Sequence, residues 1–216
     1  MTHAPVNANH SPDHGHDESG PLMAHGSILQ TQITNGKICM WLFLGSEIMF
    51  FTGLIGAYIV LRFGQGPGNW PSPDKTLNVP LTAINTFFLI CSSVTLVWAL
   101  QSFQREQPAK GNLGLLATTL IGALFVGVQA YEYIELLGAG MAPDTNLFGS
   151  CFYVMTGFHG FHVLVGVLSL AWLTVMGFLG KFGPTYSQYA PIEMTGLYWH
   201  FVDLVWIILF AIVYLM

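Results

Sequence analysis

Charge is scarce in this chain: of 216 residues only 8% are Asp, Glu, Lys or Arg, against roughly a quarter in an ordinary soluble domain. The six Lys and Arg are scattered and the formal net charge is -5, so the clustered basic footprint of a nucleic-acid binder is missing. Cysteine is scarce too. Cys39, Cys91 and Cys151 lie inside or at the edge of apolar runs, without the close pairing of zinc or redox motifs, and read as small buried packing residues. What the chain has in plenty is apolar side chains, 53% of the total, more than a water-soluble fold of this length hides.

Residues 1–35 are the compositional exception, rich in His, Pro, Asn, Ser and Gly and poor in large aliphatics. Burial cannot offset the ordering entropy of such a segment, so a polar, mostly irregular N-terminal tail is expected, solvated or laid against a neighbouring subunit. His3, His10, His14, His16 and His25 raise a metal reading, yet histidines without fixed spacing define no coordination geometry. The tail shows neither the basic start nor the apolar stretch of a cleavable secretory signal.

Residues 36–216 are of another kind. Hydrocarbon offers no partner to backbone N–H and C=O groups, so a span needs roughly 20 mostly apolar residues in a helix. Five stretches qualify, at about 38–61, 81–103, 113–137, 151–178 and 196–215. The expected fold class is all-α, an integral membrane bundle of five transmembrane helices. Gly- and Pro-rich breaks at 64–71, 108–111, 138–143 and 183–184 separate them. Trp41, Trp70, Tyr131, Tyr133 and Tyr198 fall near predicted ends, where amphipathic rings favour the headgroup zone. If the spans alternate, Lys37, Arg105, Lys110 and Lys181 share one side, and Arg62 and Lys75 the other. The positive-inside rule then places the N-terminus in the cytoplasm and the C-terminus in the periplasm. The small-residue pairs Gly53 with Ala57 and Ala123 with Gly127 are candidates for close helix packing.

Glu47, Glu132, Glu135, His159, His162, His200 and Asp203 all sit within these spans, although a charged group at the bilayer centre costs roughly 2.5–3.5 kcal/mol on insertion scales. Glu132 and Glu135 lie near a span end and are expected to reach the interface. Glu47 lies deep in its helix, where an ionised carboxylate is costly. His159 and His162 are three residues apart and share a helix face, as do His200 and Asp203. Two readings follow. One is a metal or haem site between helices, although His-x-x-His and His-x-x-Asp match no di-metal pattern well. The other is polar glue, with imidazole and carboxylate hydrogen-bonded across helices or to lipid headgroups.

Two of these stretches, Thr156-Gly-Phe-His159-Gly-Phe-His162-Val-Leu-Val-Gly166 and Tyr198-Trp-His200-Phe-Val-Asp203-Leu-Val-Trp206, resemble the signatures of cytochrome c oxidase subunit III. Gly45-Ser-Glu47 with its following aromatics, the run from Pro80 through Asn85-Thr86 to Ser92-Ser93 and Thr95, and Gln129-Ala-Tyr-Glu132-Tyr133 are similar to the same family. The resemblance covers about 37–216. It implies a helical, non-catalytic subunit of a haem-copper terminal oxidase that packs on the catalytic subunit I and other oxidase subunits, a respiratory supercomplex included. Haem and copper would then sit in the partner, with no cofactor in this chain and bound phospholipid on it. It also implies the inner membrane of a bacterium and a role in assembly and sustained proton-pumping oxygen reduction. The glutamate matching Glu47 is, in that family, a buried carboxyl that reacts with a hydrophobic carbodiimide. Glu47, Arg62, Glu132, His159, His162, His200, Asp203 and Trp206 become the expected structural, lipid or subunit contacts. They are not expected to be catalytic or metal-binding.

The chain departs from the common seven-helix form of that family, whose additional N-terminal helix pair encloses a lipid-filled cleft. Here the polar tail stands in its place. The segment 186–193 also lacks the His that often precedes the last span. Short five-helix relatives include subunits of quinol oxidases and an accessory protein of nitric oxide reductase, so the resemblance leaves the electron donor open. A stand-alone membrane metalloenzyme or quinone protein using Glu132, His159, His162 and His200 is the rival of a different class. A small transporter is disfavoured by the absence of an inverted repeat.

Overall fold

The computed structural model describes residues 35–65, 70 and 78–215. The expected tail, except Asn35, lies outside the described residues, as do its five histidines and Lys75. The chain divides into two units, Met1–Ile38 and Cys39–Met216, and all the packing below lies within the second.

Five helices are long and apolar enough to cross a bilayer: α1 (Asn35–Gly64), α2 (Val79–Gln104), α3 (Pro108–Gly138), α4 (Leu147–Phe178) and α5 (Tyr186–Phe210), the last closing in a π-helical turn at Ala211–Leu215. Local chemistry sets their starts. The Asn78 side chain accepts from the Leu81 N–H at 3.3 Å, and that of Asn146 from the Gly149 N–H at 2.6 Å, each satisfying an N–H that the helix itself leaves open. Pro108 opens α3, where a missing N–H costs nothing. Three ends share one device, a left-handed residue flanked by a pair of backbone hydrogen bonds that return to the last turn. Gly140 (φ 82°) ends α3 and Gly180 (φ 69°) ends α4, whereas α2 ends on Glu106 at φ 59°.

The four later helices form a ring in which α2 packs on α3 and α5, and α4 packs on α3 and α5. Short connections make sequence neighbours antiparallel. Phe103, Phe125, Phe148, Phe152, Trp199 and Trp206 fill the interior. Helix α1 lies outside this ring. Its inward stripe, Leu44, Phe51 and Tyr58, repeats every seven residues. Phe43 and Phe51 meet Tyr198 and Phe201 of α5, while Phe50 meets Phe158 of α4, so α1 rests in the α4–α5 groove.

Four sequence expectations need correction. The last helix begins at Tyr186, ten residues before the predicted span, because polar residues and Pro191 depress hydropathy there. Pro191, the sixth residue of the helix, gives up one backbone hydrogen bond, to the Ser187 carbonyl, and the helix runs on through it. Tyr198 consequently sits mid-helix and buried rather than at a headgroup. The pairs Gly53 with Ala57 and Ala123 with Gly127 face outward. The close approaches use Gly111, Gly114, Gly122 and Gly166 instead, where an added Cβ would fall within 3 Å of a neighbouring side chain. Finally, Cys39 is exposed, and Cys91 and Cys151 are only partly buried. Spacing alone identifies a face but not what that face meets.

Candidate functional site

The ionisable residues of the spans fall into four settings. In the first, α1 meets α4. His162 Nδ1 lies 2.7 Å from the Phe158 carbonyl oxygen and Nε2 lies 3.1 Å from Glu47 Oε2. A carbonyl only accepts, so Nδ1 carries a proton and donates it. The contact at Nε2 then holds one shared proton, on Glu47 as a neutral acid donating to a neutral imidazole, or on His162 as an imidazolium donating to a carboxylate. Either form is neutral overall. Neutrality matters here because Phe50, Phe51 and Phe161 pack their rings around the imidazole and little water can assist.

His159, one turn away, lies wholly enclosed inside the bundle. Its ring stacks on Trp206 at a centroid distance of 4.7 Å and an interplanar angle of 26°, with Phe125 and Phe51 edge-on. Neither ring nitrogen has a hydrogen-bond partner. Both imidazoles touch Phe51, so they share a helix face as the spacing requires, but one turns to the core and the other to α1. Trp206, the stacking platform, is held by its indole N–H donating to Thr86 Oγ1 of α2 at 2.9 Å.

Glu132 corrects the expectation that it reaches the interface. It is only 3% exposed, receiving the Thr82 hydroxyl on Oε1 and the Tyr214 hydroxyl on Oε2, each at 3.1 Å. Tyr214 belongs to the terminal π-helical turn, so one carboxyl ties α2, α3 and the end of the last helix together. Glu135, by contrast, is exposed. In the fourth setting Asp203 of α5 accepts from Ser93 Oγ of α2 at 2.8 Å, while Asp203 Oδ1 has no partner. His200 is half-buried on the outer side of the same helix. Arg62 is half-buried in the last turn of α1. Among the described residues, no three His, Cys, Asp or Glu side chains gather in a metal-binding arrangement.

The family model for cytochrome c oxidase subunit III matches residues 18–216. The chain belongs to the cytochrome c oxidase subunit III family. Relatives agree along most of their length. A probable cytochrome c oxidase subunit 3 of Nocardia farcinica is 38% identical over 173 residues, covering 80% of this chain and 84% of the relative. The cytochrome c oxidase subunit 3 of Corynebacterium diphtheriae is 40% identical over the same length, covering 80% and 83%, and that of Bacillus sp. strain PS3 is 36% identical over 182 residues, covering 84% and 86%. This subunit III chain is thus a multi-pass membrane protein, a member of a family whose complex is an oxidoreductase.

Several residues that organise this subunit III bundle had no packing role assigned from the sequence. Trp199 is the clearest. Its indole fills a slot between Gly122 of α3 and Gly166 of α4, where an added Cβ would come within 2.7 Å and 2.8 Å of the ring, and its N–H donates to Ser92 Oγ of α2 at 2.9 Å. Ser92 and Thr86, six residues apart on α2, therefore do the same job, each receiving an indole N–H from α5. Thr82, Tyr214 and the Tyr133–Thr156 pair, whose hydroxyls lie 2.7 Å apart, complete the set. The signal was present as hydroxyls on one face of α2 and two tryptophans on α5, but only the tertiary fold pairs them.

Proposed function

We propose that this chain is the non-catalytic structural subunit of a cytochrome c oxidase, carrying no redox centre of its own. It docks through its apolar flanks on the haem- and copper-bearing subunit I, holds phospholipid at its polar margins, and keeps the catalytic subunit in working shape. One observation carries the reading: the histidines and carboxylates inside the spans, the exposed Glu135 and the half-buried His200 apart, are spent on packing. His162 is engaged by Glu47 and Phe158, Glu132 by Thr82 and Tyr214, and Asp203 by Ser93, while His159 is boxed by aromatic rings. A redox metal would need several of these side chains free and convergent. The distribution of Lys and Arg supports a cytoplasmic N-terminus, and the bacterial relatives support placement in a bacterial inner membrane.

The test is to purify the tagged chain, once from cells making the whole oxidase and once alone, and record the visible spectrum and metal content of each. The reading expects co-purification with haem-bearing subunit I in the first case and neither haem nor stoichiometric iron or copper in the second. Haem or metal bound tightly to the isolated chain would overturn it.

A further inference from the structure

The enclosed carboxyl of Glu132 lies six residues before the end of α3, where it meets Thr82, the fourth residue of α2, and Tyr214 of the π-helical turn. Thr82 Oγ1 is 3.1 Å from Glu132 Oε1 and also 3.1 Å from the Asn78 carbonyl oxygen. A hydroxyl has one proton to give, so it serves one of these acceptors at a time. If the carboxyl is ionised, Thr82 donates to it, and the Asn78 carbonyl keeps the Thr82 N–H at 3.1 Å. If the carboxyl is neutral, the bond between the two side chains reverses. Glu132 then donates from Oε1 to Thr82 Oγ1, Thr82 donates on to the Asn78 carbonyl, and Oε2 accepts from Tyr214 at 3.1 Å.

Burial and charge decide between the two states. The groups that act on Glu132 are Thr82 of α2, Tyr214 of the π-helical turn and Glu135 of its own helix, with Tyr133 beside it. Neither a tyrosine nor a glutamate offsets a carboxylate, and at 3% exposure a charge met by two hydroxyls is costly. The neutral acid fills every contact and leaves no charge uncompensated. Its donors all point one way, from Tyr214 to Glu132 to Thr82 to the carbonyl of Asn78, an exposed residue one helical turn before Thr82. Tyr214 belongs to a π-helical turn, a rare geometry that recurs at functional sites.

We infer that Glu132 is a proton-binding site, occupied at neutral pH, that exchanges its proton with water at the start of α2 through the Thr82 hydroxyl. In the release step the Glu132 proton passes to Thr82 Oγ1 while the proton already on Thr82 leaves to water at the exposed first turn. The new Thr82 hydroxyl then rotates to donate to the carboxylate. One proton is lost overall, and its return along the same path restores the acid. Thr82 is the positioning and relay residue, and Tyr214 holds the carbonyl oxygen of the acid.

The test uses the full chain, purified in detergent with isotope-labelled glutamate, and reads the infrared C=O band of protonated carboxyl groups at neutral pH. Wild type should show a band that is lost in Glu132→Gln, whose amide gives to Thr82 and accepts from Tyr214 as the acid does. Tyr214→Phe should keep the band and move it to higher frequency, because the carbonyl oxygen loses its donor; this assigns the band even where the Gln variant fails to fold. A band from Glu47 would respond to neither change. On transfer to heavy water the Glu132 band should shift more slowly in Thr82→Val than in wild type, with Thr82→Ser restoring the rate. Identical spectra for wild type and Glu132→Gln, or a band that Tyr214→Phe leaves in place, would overturn the proton-binding site. Exchange as fast in Thr82→Val as in wild type would overturn the route through Thr82.

Discussion

Glu47 on α1 and His162 on α4 meet at 3.1 Å, and because His162 already donates its other ring proton to a backbone carbonyl, the two side chains share a single proton. This pair is a polar link between the outlying helix and the four-helix ring. The amide of Gln can donate to the neutral imidazole as a protonated Glu does, so Glu47→Gln is expected to leave assembly and thermal stability nearly unchanged. Glu47→Ala leaves the ring nitrogen unpaired, at a cost of about 1–3 kcal/mol. Glu47→Lys places a cation among Phe50, Phe51 and Phe161 and is expected to lose more. Thermal unfolding of the purified variants in detergent checks the order; a Lys variant as stable as Gln would show that the site is open to water.

The Trp199 slot makes a second prediction. Gly122→Ala and Gly166→Ala each push a methyl into a ring that is pinned by Ser92 and cannot rotate away. Each should destabilise by about 1–3 kcal/mol through overpacking. Because both methyls strike one indole from α3 and α4, the double variant should depart from additivity, and replacing Trp199 with Leu should relieve the Gly166→Ala clash and only part of the Gly122→Ala clash, since Val167 Cγ2 also lies 2.9 Å from the methyl added at 122. Additive losses would mean that the glycines act separately.

Helix ends yield a stabilising change. Glu106 holds a left-handed conformation that Gly140 and Gly180 adopt at equivalent ends of α3 and α4. An L side chain there costs roughly 1–2 kcal/mol. Glu106→Gly should therefore raise stability by about 1 kcal/mol after the extra chain entropy of glycine is counted, and with it the unfolding midpoint, while Gly140→Ala and Gly180→Ala should lower both. No gain from Glu106→Gly would place the strain elsewhere.

Orientation can be read by labelling. With Cys39, Cys91 and Cys151 replaced by Ala, a single cysteine at Glu106 in the α2–α3 turn or at Asp144 in the α3–α4 turn is offered a membrane-impermeant maleimide on intact spheroplasts. The excess of Lys and Arg on the N-terminal side predicts labelling at 144 and none at 106 until the membrane is permeabilised. The reverse pattern would invert the topology.

Much of the fold is legible in the chain itself, since four of the five spans end within a few residues of the observed helices and the fifth shares its end. The miss at the start of α5 has a plain cause. A hydropathy window reports partition into hydrocarbon, whereas a helix extends as far as its backbone hydrogen bonds can be made, past the apolar stretch and through Pro191. The site residues were legible as costly groups, but not their partners. Glu132 looked like an interfacial carboxyl because its partner Tyr214 lies 82 residues away on a helix end.

The chain's composition and the length of its apolar runs are enough to read five bilayer spans, because a backbone in hydrocarbon has only helix to satisfy it. Its two His-containing motifs likewise suffice to place it in its family. Which imidazole turns to the core, which to Glu47 and which outward was decided only by the tertiary structure. Residues three apart on a helix differ in direction by about 60° at 3.6 residues per turn, so neighbouring side chains on one face can meet different helices, and the sequence carries no record of which helix lies there.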